Sequence, residues 1–542
     1  MRLANKKLLP TWLGFFPLIA WTILMTACSK EEKSVPKRPN IIFIMADDHA
    51  SRTISAYEGA INHTPNIDRL AEEGAVFLNS FCGNSICGPS RATILTGKHS
   101  HMNGVTGNGA PWDSTQVVFP RLLKDAGYQS VLFGKWHLNS KPADEFDEYK
   151  ILTGAGKQGF YYNPEFFTKG KGTETVEGYS TDLVTDDALQ WLKESRNEEE
   201  PFLMLVQYKS THVPRMPPLR LLNKYMDDTI PEPETFFDDF ATRSHYATDV
   251  NFHIREHRPL PQYGTYDPKK ENIYLARMSD EQLKAYHEVI DPQNREFQKM
   301  KEEGLLRGDS MKKYAYQRFI KDYLRCVDAI DENVGRILDW LDADEELKNN
   351  TIVIYCSDQD YFTGEHGYAE KRLMYEGAIN MPLLIRWPDK IKPGTRVQDM
   401  VQNIDYAPTF LDMAGIEIPT DMQGKSFKPV VEDKSVPDWR EAVYYHYYDH
   451  GQHVVGRHDG IRDKRYKLIH FYTDDTWEFY DLENDPNELY NAYGDKSYEA
   501  EIKRMEEGLV NLRKQYKVPE WVFSPPYVSL KGIEQTQGAN KD

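Results

Sequence analysis

Four short apolar segments alternate along the chain with longer amphipathic stretches. The apolar segments span residues 40–45, 130–133, 202–206 and 351–355. Continuous apolar runs of this length are typical of strands that are buried on both faces of a parallel sheet. The clearest helical pattern has apolar residues spaced by three and four from Phe319 to Leu341, shortly before the fourth segment. This alternation predicts an α/β fold with a doubly wound, mostly parallel sheet.

Each predicted strand is followed by polar residues that can carry chemistry. In chain order these are Asp47 and Asp48, Lys135 and His137, His212, and Asp358 and Gln359. Open α/β sheets bind ligands beyond the carboxyl ends of their strands. Taken singly, the residues could equally be turn formers, caps or solvated charges. Their coincidence at one sheet edge predicts a functional site.

The predicted site contains a set of side chains that offer only oxygen ligands. They are Asp47, Asp48, Asp358 and Gln359. Oxygen donors favour a hard divalent cation, calcium first and magnesium second, whereas zinc favours histidine or thiolate ligands. Without a cation, three converging carboxylates would repel one another. We therefore predict a calcium site.

The pattern changes from about residue 420 onward. Residues 466–472 and 477–482 are typical of paired strands separated by a polar turn. Apolar positions from Ile502 to Leu512 then have helical spacing. The sequence predicts a catalytic domain over residues 39–425 and a smaller subdomain, an antiparallel sheet packed by a helix, over residues 426–542.

The N-terminus has the features of an export signal. Cations precede an apolar stretch over residues 8–25, and small residues then lead to Cys28. A transmembrane anchor is the alternative, although Pro10 and Pro17 interrupt the stretch. Because Cys28 resembles a bacterial lipoprotein cleavage site, we predict a signal peptide over 1–27, a lipid on Cys28, a flexible tether over 28–38, and a location in the bacterial periplasm or at the cell surface.

The charge of the chain limits its partners. The formal net charge is −18, and removal of residues 1–27, which contain three cations and no acids, would make it −21. Such a surface excludes nonspecific nucleic-acid binding and leaves the predicted lipid as the only membrane contact. An anionic substrate would require cations concentrated in a pocket. The cysteines other than Cys28 are too few and scattered for a disulfide framework.

Residues 87–97 form a run in which a cysteine, a proline and an arginine have fixed offsets. Pro89 is well tolerated in a first helical turn, which would place Cys87 at a helix N-terminus, where anions are favoured. Arg91, about one turn further on, would face the same anion. The alternative is a buried structural cysteine before an ordinary helix.

This run resembles the signature of the type I, formylglycine-dependent sulfatases of the alkaline-phosphatase-like superfamily. The resemblance extends from residue 40 to about 491 and includes segments 134–138, 358–359, 364–367, 371–372 and 374–377. It implies that a maturation enzyme oxidises Cys87 to formylglycine. One hydroxyl of the hydrated aldehyde then attacks sulfur, and the other drives expulsion of the sulfate.

The same resemblance implies roles for individual residues. The implied metal ligands are Asp47, Asp48, Asp358, Gln359 and the modified Cys87. Arg91 and Lys135 would stabilise the formylglycine oxygens, and His137 would act as the base in sulfate release. Lys371 and His212 would bind the sulfate beside Lys135, with His212 donating a proton to the leaving oxygen. Gln359 stands where many relatives have asparagine, which also offers an amide oxygen.

The resemblance also implies a substrate. Segments 371–376, 460–469 and 477–482 look most like those of carbohydrate sulfatases that remove 6-O-sulfate from N-acetylglucosamine or glucosamine. The glycan would be host heparan sulfate, keratan sulfate or mucin. A charge of −21 favours a pocket for one terminal sugar, hence exo action. Predicted sugar contacts are Arg372, Asp360, which replaces a common glycine, and His453 and His458, for which an exposed polar loop is the alternative.

Two other functions are compatible with parts of the pattern. A phosphatase or phosphonate hydrolase could use the same fold, but a threonine or serine nucleophile and two zinc sites would suit phosphate monoesters better. A surface lipoprotein that binds glycans without catalysis is the other alternative. The presence of every expected catalytic residue argues against it.

Overall fold

The computed structural model describes residues 37–254, 273–434, 436–449 and 452–524. The predicted signal peptide, Cys28 and nearly all of the tether lie outside these ranges. The described residues from Arg38 onward belong to one compact unit. The predicted boundary between residues 425 and 426 stays a prediction. Within the described ranges, no helix has the length and hydrophobicity needed to cross a bilayer.

Sixteen strands occur within the described ranges. They are β1 (Asn40–Ala46), β2 (Ala75–Phe77), β3 (Ser80–Phe81), β4 (Gln129–Gly134), β5 (Glu148–Thr153), β6 (Glu165–Thr168), β7 (Gly172–Thr175), β8 (Phe202–Gln207), β9 (Thr351–Ser357), β10 (Leu383–Arg386), β11 (Thr395–Val397), β12 (Val401–Gln402), β13 (Ala442–Tyr447), β14 (His458–Asp463), β15 (Tyr466–Phe471) and β16 (Thr476–Asp481).

Thirteen α-helices occur in the same part of the chain. They are α1 (Pro65–Glu72), α2 (Cys87–Thr96), α3 (Ser100–Asn103), α4 (Phe119–Asp125), α5 (Ser180–Glu194), α6 (His245–Asp249), α7 (Asp280–Glu302), α8 (Asp309–Asp342), α9 (Glu345–Asn349), α10 (Glu376–Ile379), α11 (Tyr406–Met413), α12 (Lys428–Val431) and α13 (Glu499–Gln515).

A ten-stranded sheet forms the centre of the fold, in the order β11-β2-β10-β9-β1-β8-β4-β5-β6-β7. The five central strands, from β9 to β5, run parallel to one another, and antiparallel strands extend both sides. The four apolar segments predicted from the sequence correspond to β1, β4, β8 and β9. The predicted mostly parallel α/β fold is therefore confirmed.

Strand β1 shows why the sheet is buried on both faces. Alternate residues of a strand point to opposite faces. Ile41 and Phe43 belong to one apolar core and Ile42 and Ile44 to another. Helix α11 covers the first face, and α8 supplies apolar side chains to the second. A continuous apolar run is the sequence pattern that such double burial requires.

The C-terminal region forms a separate antiparallel sheet in the order β13-β14-β15-β16. Helix α13 packs against it through Ile502, Met505 and Leu509, which share an apolar cluster with Leu468 and Phe479. This arrangement matches the predicted small antiparallel sheet packed by a helix.

Candidate active site

The carboxyl ends of four neighbouring parallel strands bring most of the predicted site residues together. Strand β1 lies between β9 and β8, and β8 lies next to β4. Their carboxyl ends therefore place four groups of residues at one edge: Asp358 and Gln359 after β9, Asp47 and Asp48 after β1, His212 after β8, and Lys135 and His137 after β4. The juxtaposition predicted from the strand ends is present.

Three carboxylates converge at the centre of this edge. Asp47, Asp48 and Asp358 are buried, and each offers an oxygen within 4.8 Å of the others. The backbone N–H of Asp48 donates to Asp358 Oδ1 at 3.2 Å, and Asp48 itself has a φ of 62°. Such a concentration of buried negative charge requires compensating cations.

Each carboxylate has its own cationic partner. Lys135 donates to Asp47, Lys371 Nζ lies 2.6 Å and 2.7 Å from the two oxygens of Asp48, and Arg91 Nε lies 2.9 Å from Asp358 Oδ2. All six side chains are buried. Each of the three carboxylates therefore has a cation within hydrogen-bond distance before any ligand enters.

The pKa values of the acids reflect burial and these partners. Burial alone would raise the pKa of Asp47, but Lys135, His212 and Arg91 outweigh it and hold that pKa well below its usual range. Burial raises the pKa of Asp358 to about 7, with a further rise from Asp47 that Arg91 opposes. A bound metal cation, in addition to these side-chain cations, would favour the ionised forms of the carboxylates.

Two buried oxygens of the site fit a cation. Asp47 Oδ1 and Gln359 Oε1 have no hydrogen-bond partner within the described part of the chain. The amide Nε2 of Gln359 instead donates to Asp358 Oδ1 at 2.7 Å and also to Asp48 Oδ1. An all-oxygen donor set with unsatisfied buried oxygens is the chemistry that a hard divalent cation satisfies. Asp47, Asp48, Asp358 and Gln359 would hold it.

Cys87 is the first residue of α2 and lies beside these groups. Its Sγ atom is 3.5 Å from Lys371 Nζ and 3.8 Å from Gln359 Nε2. Pro89 occupies the first turn, as predicted, because a missing N–H costs nothing there. Burial, with a further contribution from Asp47, raises the pKa of the Cys87 thiol. The unmodified side chain is therefore a neutral thiol, a poor nucleophile.

Arg91 contacts residues at three strand ends. In addition to Asp358, its Nη1 binds the carbonyl of Lys135 at 2.9 Å and Gln207 Oε1 at 3.1 Å. Its Nη2 has no partner in the part of the chain that the structure describes. Arg91 thus ties α2 to the ends of β9, β4 and β8 and keeps one nitrogen free for a ligand.

The two predicted site histidines are neutral at neutral pH. Burial and the nearby Lys135 lower the pKa of His137 well below its usual range. Burial also lowers the pKa of His212, against the attraction of Asp47. His212 Nδ1 donates to the carbonyl of Val213 at 2.8 Å, which leaves Nε2 facing Asp48 Oδ2 at 4.0 Å. A bound anion would raise the pKa of His212 and allow it to carry a proton.

The predicted sugar-contacting residues lie in different surroundings. Arg372 and His453 both face Glu370, with N–O distances of 4.0 Å and 3.9 Å. His458 is buried against the rings of Tyr445 and Tyr447, and its Nδ1 binds a backbone carbonyl at 2.8 Å.

The carboxylate of Asp360 turns away toward Ser51. It accepts hydrogen bonds from the Ser51 hydroxyl at 2.7 Å and from the backbone N–H groups of Ser51 and Tyr361. Sugar contact by Asp360, Arg372, His453 and His458 stays a prediction.

Several residues of the site were not predicted. Gln158 binds Lys135 Nζ at 3.1 Å, and Asn108 accepts from the N–H of Gly88, in the first turn of α2, at 3.0 Å. Glu370 joins Arg372 to His453. Gln207 and Lys209 lie at the end of β8. Their position directly after a predicted buried strand could have identified them as site residues from the sequence. Nothing in the sequence distinguishes Asn108 or Gln158 from other loop amides.

Comparisons with known proteins agree with this geometry. The sulfatase family model matches residues 39–416, and the C-terminal model of N-sulphoglucosamine sulphohydrolase matches residues 364–515. An N-acetylglucosamine-6-O-sulfatase of Bacteroides thetaiotaomicron is 42% identical over 515 residues, which cover 92% of this chain and 90% of the relative. The chain belongs to the sulfatase family, whose members hydrolyse sulfuric esters.

Comparison with solved structures also identifies a sulfatase as a similar protein. BT4656, in complex with its substrate D-glucosamine-2-N,6-O-disulfate, matches with a TM-score of 0.85 and 42% identity, covering 89% of this chain and 99% of that one. A phosphonate monoester hydrolase from Silicibacter pomeroyi matches with a TM-score of 0.66 at 20% identity, covering 88% of this chain and 96% of that one, which shows a shared fold alone. The protein is a sulfuric ester hydrolase, and its family implies a metal ion and a formylglycine.

Proposed function

We propose that this protein is a calcium-dependent, exo-acting sulfatase that removes the 6-O-sulfate from a terminal N-acetylglucosamine or glucosamine of a host glycan. The observation that carries the proposal is the position of Cys87, with Lys371 3.5 Å from its sulfur and three carboxylates behind it. The 42% identity to an N-acetylglucosamine-6-O-sulfatase supports the choice of sugar. The candidate glycans are heparan sulfate, keratan sulfate and mucin.

The proposal includes a modification, a metal and a cellular location. A maturation enzyme would convert Cys87 to formylglycine, which supplies a geminal diol as nucleophile. Calcium would supply positive charge at the developing negative charge of the reaction. The protein would be exported and held by a lipid on Cys28 in the periplasm or at the cell surface.

The side chains of this chain have distinct tasks in the proposed reaction. Lys371 and Lys135, both buried, would place fixed positive charges near the sulfate oxygens. Arg91 offers its unpaired Nη2 to the oxygens at residue 87. His212 Nε2 faces the same space and would hold the proton for the leaving sugar oxygen once the bound sulfate raises its pKa.

His137 completes the proposed set. Its Nδ1 has no partner within the described ranges, and the neutral ring can accept a proton. A neutral imidazole is the form that a base in sulfate release needs. The acid at His212 and the base at His137 would therefore be separate residues.

Mass spectrometry of the peptide containing residue 87, combined with desulfation assays, tests this proposal. Protein produced with a maturation enzyme should contain formylglycine at position 87 and should release sulfate from glucosamine 6-sulfate. Galactose 6-sulfate should be a poorer substrate. Cys87→Ala should abolish turnover and keep the fold.

Other outcomes would replace the proposal. Preference for a 2- or 4-sulfated sugar would reject the assigned position of the ester. Two bound zinc ions and phosphate release would favour the phosphatase alternative, and an inactive native protein with unmodified Cys87 would favour a glycan-binding lipoprotein.

A further inference from the structure

Lys209 is a buried lysine at the edge of the site. It lies two residues beyond the end of β8, and its side chain is 2% exposed. Strand β8 runs between β1 and β4, so Lys209 lies between the residues that follow those strands, Asp47 and Lys135. The position of Lys209 after β8 therefore places it at the same sheet edge as the candidate active site.

The directions of the neighbouring side chains indicate that Lys209 lies on the face of the sheet that carries Arg91. Gln207 points to Arg91 of α2, whereas the hydroxyl of Tyr208 hydrogen-bonds with Thr185 of α5 on the opposite face, at 2.7 Å. Since successive residues of an extended chain alternate, Lys209 shares the side of Gln207. Burial and the nearby Lys135 lower the pKa of Lys209 to about 7, with Asp47 and Asp48 opposing the shift.

The Lys209 ammonium has no acceptor of its own. Within the ranges that the structure describes, no oxygen accepts a hydrogen bond from it, and its neighbour is the ring of Tyr161, with 5.1 Å between Nζ and the ring centroid. Lys135 and Lys371, by contrast, are each paired with an aspartate. A buried charge without a partner is unfavourable, and proteins rarely keep one without a ligand to pair it.

Balancing the acids of the site does not explain this lysine. Asp47, Asp48 and Asp358 are already paired with Lys135, Lys371 and Arg91 respectively. Glu370, which lies 3.8 Å from Lys371 Nζ, has Arg372 as a further cationic partner. A divalent cation at those oxygens would add further positive charge. When protonated, Lys209 therefore carries a positive charge beyond those that pair with the three carboxylates, and such a charge at a buried site favours an anionic ligand.

We propose that Lys209 is a substrate-binding residue whose ammonium pairs with an anionic sulfate oxygen, of the ester or of the sulfate released from it. This inference rests on the proposed function and extends the sulfate site to a third lysine. Lys209 is also connected to His212, because the N–H of His212 donates to the carbonyl of Lys209 at 3.1 Å and Tyr161 donates to the carbonyl of His212 at 2.5 Å. The proton donor and this cation would therefore approach the substrate from the same turn.

Binding to a catalytically silent protein tests the proposal. In the Cys87→Ala background with calcium present, calorimetry would measure the Kd of inorganic sulfate and of glucosamine 6-sulfate. Adding Lys209→Met should raise both Kd values roughly tenfold to a hundredfold, the usual effect of losing a charged hydrogen bond. Lys209→Arg, which keeps the charge, should retain most of the affinity.

Lys141→Met is the matched control. The Lys141 ammonium also lies over a ring, that of Phe167 at 3.3 Å, and has no ion pair within the described residues, so the variant loses the same charge and the same kind of contact at the surface. Its Kd values should not change. Lys209→Met should not lower the melting temperature, because methionine removes an unpaired buried charge.

Three results would overturn the inference. Unchanged Kd values in the Lys209→Met protein, with normal binding in its Cys87→Ala parent, would reject the role of Lys209 and leave the proposed function standing. Lower calcium affinity with unchanged sulfate affinity would show that Lys209 balances the carboxylates instead. Failure of the parent to bind either ligand would reject both the proposed function and this extension.

Discussion

Replacing Lys371 with methionine should separate its proposed role in binding the sulfate from its pairing with Asp48. The Lys371 ammonium bridges both oxygens of Asp48 at 2.6 Å and 2.7 Å, and both side chains are buried. Burial alone would lower the pKa of Lys371, but Asp48 raises it well above its usual range. Losing one partner of a buried ion pair costs about 3–5 kcal/mol, and losing one transition-state stabiliser lowers kcat roughly a hundredfold to a thousandfold.

Calcium makes this prediction specific. In the wild-type protein, a cation at Asp48 must share that carboxylate with Lys371. In the Lys371→Met protein, Asp48 has lost that cationic partner, so calcium should pair with it and recover part of the lost stability. The free energy of unfolding, measured in urea with calcium and with chelator, should therefore respond more strongly to calcium in the variant than in the wild type.

Lys467→Met provides the matched control. Lys467, in strand β15 of the C-terminal sheet, is as buried as Lys371 and pairs with Glu488 at 2.5 Å and Glu376 at 2.8 Å. The Lys467→Met substitution should lower the free energy of unfolding by a similar amount without changing kcat or the response to calcium. Equal calcium responses in all three proteins would refute the assigned pairing of Lys371 with Asp48. Normal turnover by Lys371→Met would refute its proposed role in sulfate binding.

Three further predictions concern the metal, the tyrosines and pH. Chelation should lower kcat and melting temperature together, and added calcium should restore both. If zinc restored them better than calcium, the inference that the oxygen ligands favour a hard cation would be wrong. Tyr161→Phe and Tyr162→Phe each remove a buried hydroxyl that donates at 2.5 Å to a loop carbonyl, of His212 and of Pro217 respectively. Each variant should lose about 1–3 kcal/mol of stability, but only Tyr161→Phe should lower kcat. Equal kcat values in the two variants would show that the hydrogen bond from Tyr161 to the His212 carbonyl does not position His212. Burial lowers the pKa of His99 well below its usual range, so the unfolded chain binds a proton that the native chain does not, and stability should fall as pH decreases below about 6.5. His99→Gln should make that fall shallower by about 1.4 kcal/mol per pH unit, measured by urea unfolding between pH 7 and 5.

The strands and the residues that follow them could be predicted because both depend on local pattern. Four doubly buried strands leave continuous apolar runs, and parallel strands place the residues after them at one edge. Asp47, Lys135, His212 and Asp358 were found in this way. The position of Cys87 at a helix N-terminus likewise followed from Pro89 two residues later.

The remaining contacts depend on how loops cross one another. Asn108 and Gln158 reach the site from connections whose paths are set by packing, and no period in the sequence marks them. Asp360 follows a predicted metal ligand, yet its carboxylate turns to Ser51 on another loop. The one-to-one pairing of acids and cations also needed the structure, because sequence spacing gives no distances.

The burial of Cys87 would restrict when its proposed oxidation can take place. Cys87 is 1% exposed and lies next to Lys371 and Gln359, at the start of a helix whose ten residues are all buried. An enzyme that oxidises this thiol cannot reach it once α2 has docked against the sheet. If Cys87 is modified as proposed, oxidation would have to precede the docking of α2, and a molecule that folded first would keep its thiol. The fraction of active protein would then depend on the relative rates of folding and of modification.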